Sequence, residues 1–393
     1  MKLKRWPRYS QKEIEAAVNV LSSGKVNYWT GNECKFFEKE FANYIGSKFG
    51  VAVANGTVAL EACYKAIGIK AGDEIITTPR TFIATSLAAI NLGGIPIFAD
   101  VDINTGCISP SKIESLITEK TRAISVVHIG GWPADMENIC KLAKKHKLYV
   151  IEDCSQAHGA KIKVDGEYKS VGSFGHLSCW SFCQDKIMST AGEGGIITTN
   201  DEEIYKKIWS YKDHGKSYDA VHNQKQHSTV FKYLHEDLGS NYRMTEIQAS
   251  IGRIQLKNLE ETQKIREKNA EILFTTLDKL DILRIPIPPK SVKHAWYKFY
   301  AYVIEEKLSI NWSRDKIINK LSSNGFPAFS GSCSEIYLEK CIEKLNIQPS
   351  KRLINARNLG ETSLCFLVDP LISNNEMYEY AKNIKKVLIS ASN

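Results

Sequence analysis

The chain has 393 residues, 43% of them hydrophobic and 24% charged, which is ordinary for a globular protein and enough for two or three domains. The net charge of +8 comes from 52 Lys and Arg set against 44 Asp and Glu, scattered rather than massed. With no long basic run, zinc knuckle or aromatic RNA-binding motif, the charge reads as a solvated surface and not as a nucleic-acid patch. Such a surface also suits a small anionic substrate.

Ten cysteines are present: Cys34, Cys63, Cys107, Cys140, Cys154, Cys179, Cys183, Cys333, Cys341 and Cys365. Many fall inside apolar runs, and no C-x-x-C pair or paired Cys/His cluster has metal spacing, so they read as reduced core thiols and no metal site is expected. The start, Met1-Lys-Leu-Lys-Arg-Trp-Pro, lacks the apolar centre of a signal peptide. No stretch approaches the roughly 18 apolar residues of a membrane span. The expected compartment is the cytoplasm.

In chain order, Gln11–Ser22 has helical periodicity with Ile14, Val18 and Leu21 on one face. A turn-rich stretch, 28–32, precedes an amphipathic helix over 33–45. From Phe49 the texture alternates between short apolar strands and helices. Strands are predicted at 51–54, 74–78, 96–99, 123–128, 148–152, 177–182 and 195–199, with helices at 58–67, 82–92 and 135–146. This rhythm implies a largely parallel sheet covered by helices on both faces, with ligands at the carboxyl ends of its strands. Beyond it, a long helix over 246–280, a Pro-rich break at 286–290, a strand over 296–303 and helices at 312–322 and 374–389 make a smaller α+β unit. The expected division is a large domain over 1–250 and a small one over 251–393.

Three segments carry chemistry. Ser178 to Lys186, followed by the Gly-rich run to Gly195, puts a lysine among mostly apolar or small residues. Burial disfavours the ammonium, and a neutral amine can form an imine with an aldehyde. Val150 to Gly159 ends an apolar strand in the acidic pair Glu152-Asp153, with Gln156 close behind. A pyridoxal phosphate (PLP) ring needs a carboxylate at its pyridine nitrogen and is helped by a polar group at its hydroxyl. Ala54-Asn55-Gly56-Thr57 is a turn opening a helix, whose N-terminal N–H groups and dipole suit a phosphate. Taken singly, these are also an exposed lysine, a turn or N-cap carboxylate and an ordinary strand–turn–helix junction. Together they form one constellation, and no G-x-S-x-G, P-loop or dinucleotide fingerprint competes with it.

The chain resembles the DegT/DnrJ/EryC1/StrS sugar aminotransferases from about Ile14 to its C-terminus. The matching motifs are Asn55 to Leu60, Pro79-Arg80-Thr81-Phe82, Glu152 to Gly159, Ser181 to Lys186 and Asn241 to Glu246. The resemblance implies the PLP-dependent transferase fold type I. Its large domain has a mostly parallel mixed sheet sandwiched by helices, and its C-terminal α+β domain is smaller. It also implies position by position that Lys186 is the Schiff-base lysine and proton shuttle and that Asp153 pairs with the pyridine nitrogen. Gln156 contacts the ring hydroxyl, Gly56, Thr57 and Ser181 hold the phosphate, and Phe82 stacks on the ring. Asn241 reaches the phosphate of the other subunit, which implies a homodimer with composite sites. Asn55 and Cys154 depart from the commoner serine and alanine without removing a required group.

The implied reaction moves an amino group from L-glutamate, leaving 2-oxoglutarate, through the pyridoxamine form to a keto sugar on a nucleotide diphosphate. The expected acceptor is a 4-keto-6-deoxyhexose on dTDP, UDP or GDP, for surface polysaccharide or glycan synthesis. A 3-keto acceptor is the nearest rival. A sugar dehydratase of the histidine type is disfavoured by Lys186, and a non-enzymatic PLP-binding regulator by the intact constellation. Trp29, Thr30 and Gly31 match a loop bordering the sugar pocket, and Ser330 and Ser332 are expected to border it from the small domain. His214 and Lys216 lie in a polar loop that suits the sugar or diphosphate, or is simply solvated. Trp132 reads as a packing residue.

Overall fold

The computed structural model describes residues 6–222 and 234–392. The charged start, Met1 to Arg5, lies outside the described residues. Strands β1 (Phe49–Val53), β2 (Glu74–Thr77), β3 (Ile95–Phe98), β4 (Thr121–Val127) and β5 (Tyr149–Asp153) fall within one or two residues of the expected runs. A hairpin follows, β6 (Lys161–Val164) and β7 (Glu167–Ser170), and then β8 (Leu177–Ser181) and β9 (Gly195–Thr199). Seven of these form one sheet in the order β1-β9-β8-β5-β4-β2-β3. Strand β9 runs antiparallel to both neighbours and the others share one direction. β5, β8 and β9 are buried almost throughout, as strands covered on both faces must be.

The helices begin and end where local chemistry dictates. Ser10 and Glu13 make a capping box for Gln11–Ser23, which stops at Gly24 in the left-handed region (φ 68°). Thr245 and Gln248 do the same for the long helix Glu246–Leu277. That helix serves two cores. Ala249 and Leu259 pack with Phe37, Phe41 and Trp180 under the large sheet. Ala270, Leu273 and Leu277 pack with the small sheet formed by β10 (Leu283–Arg284), β12 (Phe299–Val303) and β13 (Ser363–Phe366). The short strand β11 (Val292–Lys293) joins the β6–β7 hairpin.

Two expectations are corrected. Ile14, Val18 and Leu21 do not face the core: each is about half exposed, and the buried positions of their helix are Glu13 and Val20. This face is chosen by the contact with the long helix, where Glu13 meets Gln255. The cysteines are all free, but Cys333 and Cys341 are exposed rather than core thiols. They sit in a surface loop and a short helix of the small domain, with polar or charged neighbours (Ser332 and Ser334, Lys340 and Glu343).

Glu152 holds the sheet edge together. Neighbouring residues on a strand point to opposite faces, so Glu152 is fully buried under the sheet while Asp153 opens on its edge. Its carboxylate accepts from Gly172 N–H (2.7 Å), Phe174 N–H (2.9 Å), Gly175 N–H (2.6 Å) and His128 Nε2 (3.0 Å). His128 Nδ1 accepts from Ala134 N–H, so the ring is the neutral Nε2–H tautomer. His128, Glu152 and Cys154 lie close enough to suggest a metal, but the Glu152 oxygens are already taken by these donors. Glu152→Gln puts an NH2 group against two of these donors. It should therefore lower unfolding free energy by about 3 kcal/mol, measured by urea denaturation.

Candidate active site

The carboxyl edge of the sheet gathers the chemistry. A cavity of about 580 Å³ is lined by Asn55, Gly56 and Thr57 after β1, Thr81, Phe82 and Thr85 after β2, and Asp153, Ser155 and Gln156 at and after β5. Ser181, Cys183, Asp185, Lys186 and Glu193, from β8 and the turn beyond it, complete the wall. Gly56, Thr57, Phe82, Asp153, Gln156, Ser181 and Lys186 are thus brought together from four stretches of chain.

Each side chain is held by its surroundings. Asp153 Oδ2 accepts from Thr85 Oγ1 (2.9 Å) and Oδ1 from Ser155 N–H (3.1 Å). Thr85 is steadied in turn by Thr81 Oγ1 at 2.9 Å. The carboxylate is fixed yet keeps lone pairs for a further donor. Gln156 Oε1 accepts from Gly130 N–H (2.7 Å), which leaves its NH2 group as the donor for the cavity. Phe82 is 66% exposed and presents its aromatic face at the cavity wall.

The helix Gly56–Ala66 starts at the cavity wall. Asn55 Oδ1 caps Val58 N–H, and the first N–H groups of the helix have no partner within it. Gly56 lies so close to Ser181 that a Cβ there would sit 2.7 Å from the serine Cβ. A Cβ on Gly195 would sit 2.5 Å from the Asn55 carbonyl oxygen. These two glycines let a helix N-terminus and a serine hydroxyl converge on one point, a cradle of the size and polarity of a phosphate.

Lys186 lies in the turn after β8, its side chain 15% exposed. The surroundings are less apolar than the sequence suggested. Its Nζ is 3.8 Å from Asp185 Oδ1 and 5.3 Å from the centre of the Tyr297 ring. Its carbonyl accepts from Trp6 Nε1 (2.7 Å). Next to it, His158 is buried between the rings of Trp180 and Phe182, and burial pushes its pKa down to about 3. Thr85, Asp185 and Tyr297 are site residues that sequence reasoning passed over. For Thr85 the only local signal was its place four residues after Thr81, at the start of the short helix Ala84–Ile90.

The remaining expected residues lie outside this cavity. Asn241 is exposed and paired through its backbone with Asp213. Lys216 Nζ is 3.0 Å from Asp213 and 4.5 Å from the Trp29 ring centre, and His214 N–H donates to the Ser240 carbonyl. Thr30 turns back onto the Asn27 carbonyl, and a Cβ on Gly31 would collide with Glu246. Asn241, His214, Lys216 and Trp29 therefore form one group of their own. Ser330 is exposed, its carbonyl accepting from Ser363, and Ser332 N–H donates to the Tyr300 hydroxyl. Trp132 packs edge-on against His294, at the wall of a separate cavity.

An amine, a fixed carboxylate, an amide donor, a phosphate cradle and an aromatic face together fit PLP. Comparison with known proteins agrees. The DegT/DnrJ/EryC1/StrS aminotransferase family matches residues 7–385. A solved aminotransferase from Psychrobacter cryohalolentis is 47% identical and superposes with a TM-score of 0.95, covering 99% of each chain. The GDP-perosamine synthase of Escherichia coli O157:H7 is 39% identical over 74% of this chain and 75% of its own. The dTDP-3-amino-3,6-dideoxy-alpha-D-galactopyranose transaminase of Aneurinibacillus thermoaerophilus is 39% identical over 76% of this chain and 77% of its own. The chain belongs to the DegT/DnrJ/EryC1/StrS family and is a PLP-dependent aminotransferase of the type I fold.

Proposed function

We propose that the enzyme transfers an amino group from L-glutamate to the keto carbon of a nucleotide-diphosphate sugar, with a 4-keto-6-deoxyhexose as acceptor. The observation that carries this reading is the convergence of Lys186, Asp153, Gln156, Ser181, Thr57 and Phe82 on one cavity. The names of the two relatives point to sugars on GDP and dTDP. The second name, a 3-amino sugar, favours a 3-keto acceptor as the alternative. A cytoplasmic setting is part of the proposal and is supported by ten thiols that are all free. So is the division into domains over 1–250 and 251–393, supported by separate cores that share the long helix.

When bound, PLP supplies an electron-withdrawing ring that acidifies a C–H bond beside the transferred nitrogen. The chain does the rest. Lys186 Nζ carries the cofactor covalently and, when released, moves the proton between carbons. Asp153, which Thr85 and Ser155 keep from rotating, holds a proton at the pyridine nitrogen. The Gln156 NH2 group donates to the ring hydroxyl. Ser181 and the N–H groups of Gly56 and Thr57 bind the phosphate, and Phe82 covers one ring face and excludes water.

In this reading Asn241, with Trp29, Thr30, His214 and Lys216, completes the site of a partner subunit. Support comes from the distance of this group from the Lys186 cavity and from the exposed row Ile14, Val18 and Leu21, which suits burial against another copy. Ser330 is proposed to border the sugar from the small domain.

Purified protein with added PLP should show a visible absorption band that bleaches with L-glutamate. Lys186→Ala should show no such band and no turnover, and an unchanged band in that variant would exclude Lys186 as the attachment point. Offering 4-keto and 3-keto sugar nucleotides to the glutamate-treated enzyme, and locating the new nitrogen by NMR, separates the two acceptor readings. Mixed dimers of Lys186→Ala and Asn241→Ala should recover up to about a quarter of native turnover, because one of two composite sites is intact in each mixed pair and mixed pairs are about half of the population. No recovery in verified mixed dimers would place Asn241 in its own subunit's site.

A further inference from the structure

We propose that Asp185, braced by Tyr297, is the resting partner of the Lys186 ammonium and so sets the pH at which that amine becomes a nucleophile. The inference rests on the reading of Lys186 as the residue that carries the cofactor. One oxygen of Asp185 faces Lys186 Nζ at 3.8 Å, and the other accepts a short hydrogen bond from the Tyr297 hydroxyl. Tyr297 arrives from the far segment before β12, 112 residues away in sequence, and is only 6% exposed. Its ring also lies 5.3 Å from Nζ. A buried ring thus positions a carboxylate on an otherwise exposed turn.

The need for such a partner follows from the chemistry. In the cofactor-free chain the Lys186 amine takes up a proton from solvent, forming one N–H bond and a positive charge in a mostly enclosed site. Among the described residues, Asp185 supplies the carboxylate within 4 Å of that charge. Burial raises the Asp185 carboxyl, but the Lys186 ammonium, the Tyr297 hydroxyl and Lys298 together outweigh it and hold it below its ordinary value. The carboxylate is therefore ionised wherever the enzyme works. The other titratable groups around the amine act differently. His158 is neutral, Lys298 lies over the same Tyr297 ring as the amine, and Asp153, Cys183 and Glu193 line the rest of the cavity. Asp185 is a positioning residue here: it touches the lysine in its released state and takes no part in bond-making.

The test uses the cofactor-free full chain. Brief reductive methylation with formaldehyde and cyanoborohydride over a pH series, read at Lys186 by peptide mass spectrometry, gives the midpoint at which Nζ becomes reactive. Removing an opposite charge at this distance lowers an amine's proton affinity, so Asp185→Asn should move the midpoint down by about one pH unit. Asp185→Glu should restore it towards native, and Tyr297→Phe, which keeps the charge but loosens it, should give a smaller fall. Circular dichroism verifies that each variant is folded, and Asp185 lies on an exposed turn that tolerates substitution. An unchanged midpoint in folded Asp185→Asn overturns the proposal. Because the readout needs no PLP, a shift without an absorption band would retain the pairing while rejecting the role of Lys186.

Discussion

The fold turns on a carboxylate that never meets substrate. Glu152 is buried without a cation, a placement that would cost several kcal/mol if its oxygens were bare. Three backbone N–H groups and a neutral imidazole satisfy it instead. Those donors come from the end of β4 and from the loop that leads into β8, so one side chain fixes the edges of three adjacent strands. Strand alternation then does the rest: with Glu152 locked inwards, Asp153 is turned to the open edge. The carboxylate proposed to face the pyridine nitrogen is aimed by its neighbour, which is itself a structural residue.

The second constraint is one of volume. The phosphate cradle belongs to β1 and the lysine to β8, and the antiparallel strand β9 lies between them in the sheet. Bringing the two ends together over β9 requires backbone to pass close to backbone. Gly195, the first residue of β9, allows the Asn55 carbonyl to approach, and Gly56 allows Ser181 to do so. Any side chain at either position would push the helix N-terminus away from the serine. Overpacking of this kind costs about 1–3 kcal/mol, and here it would be felt at the proposed phosphate cradle.

What the sequence discloses and what it hides follow the same line. Strand positions in the large sheet were legible because buried parallel strands are continuous apolar runs. The constellation Asn55-Gly56-Thr57, Asp153 and Lys186 was legible because each member ends such a run. The outward face of Gln11–Ser23 was not, because periodicity shows that a helix has an apolar side without saying which neighbour takes it. The β6–β7 hairpin was missed because its residues are polar and half exposed, whereas the helix Glu202–Lys212 was passed over although Ile204, Ile208 and Trp209 fall on one buried face. Tyr297 and Asp185 meet only through the fold, with nothing in either local sequence to announce the other.

The cluster around Asp213 shows how a polar surface can be prepared for a distant task. Asp213 is fully buried, and its Oδ1 accepts from both Lys216 Nζ (3.0 Å) and Arg243 (2.7 Å), while its backbone pairs with Asn241. The adjacent Lys212 is buried as well, its Nζ 3.6 Å from the Tyr28 ring centre and 3.6 Å from Glu38. Burial pushes both members of this pair towards their neutral forms: Glu38 is raised and Lys212 lowered. Lys216 and Arg243, the two partly exposed members of this group, are thereby held before any ligand arrives. A side chain ordered in advance loses less entropy on binding, a saving of about 0.5–1.5 kcal/mol for each. In the proposed dimer that saving would fall to the neighbouring subunit's site, so that the rigidity of one copy contributes to the affinity of the other.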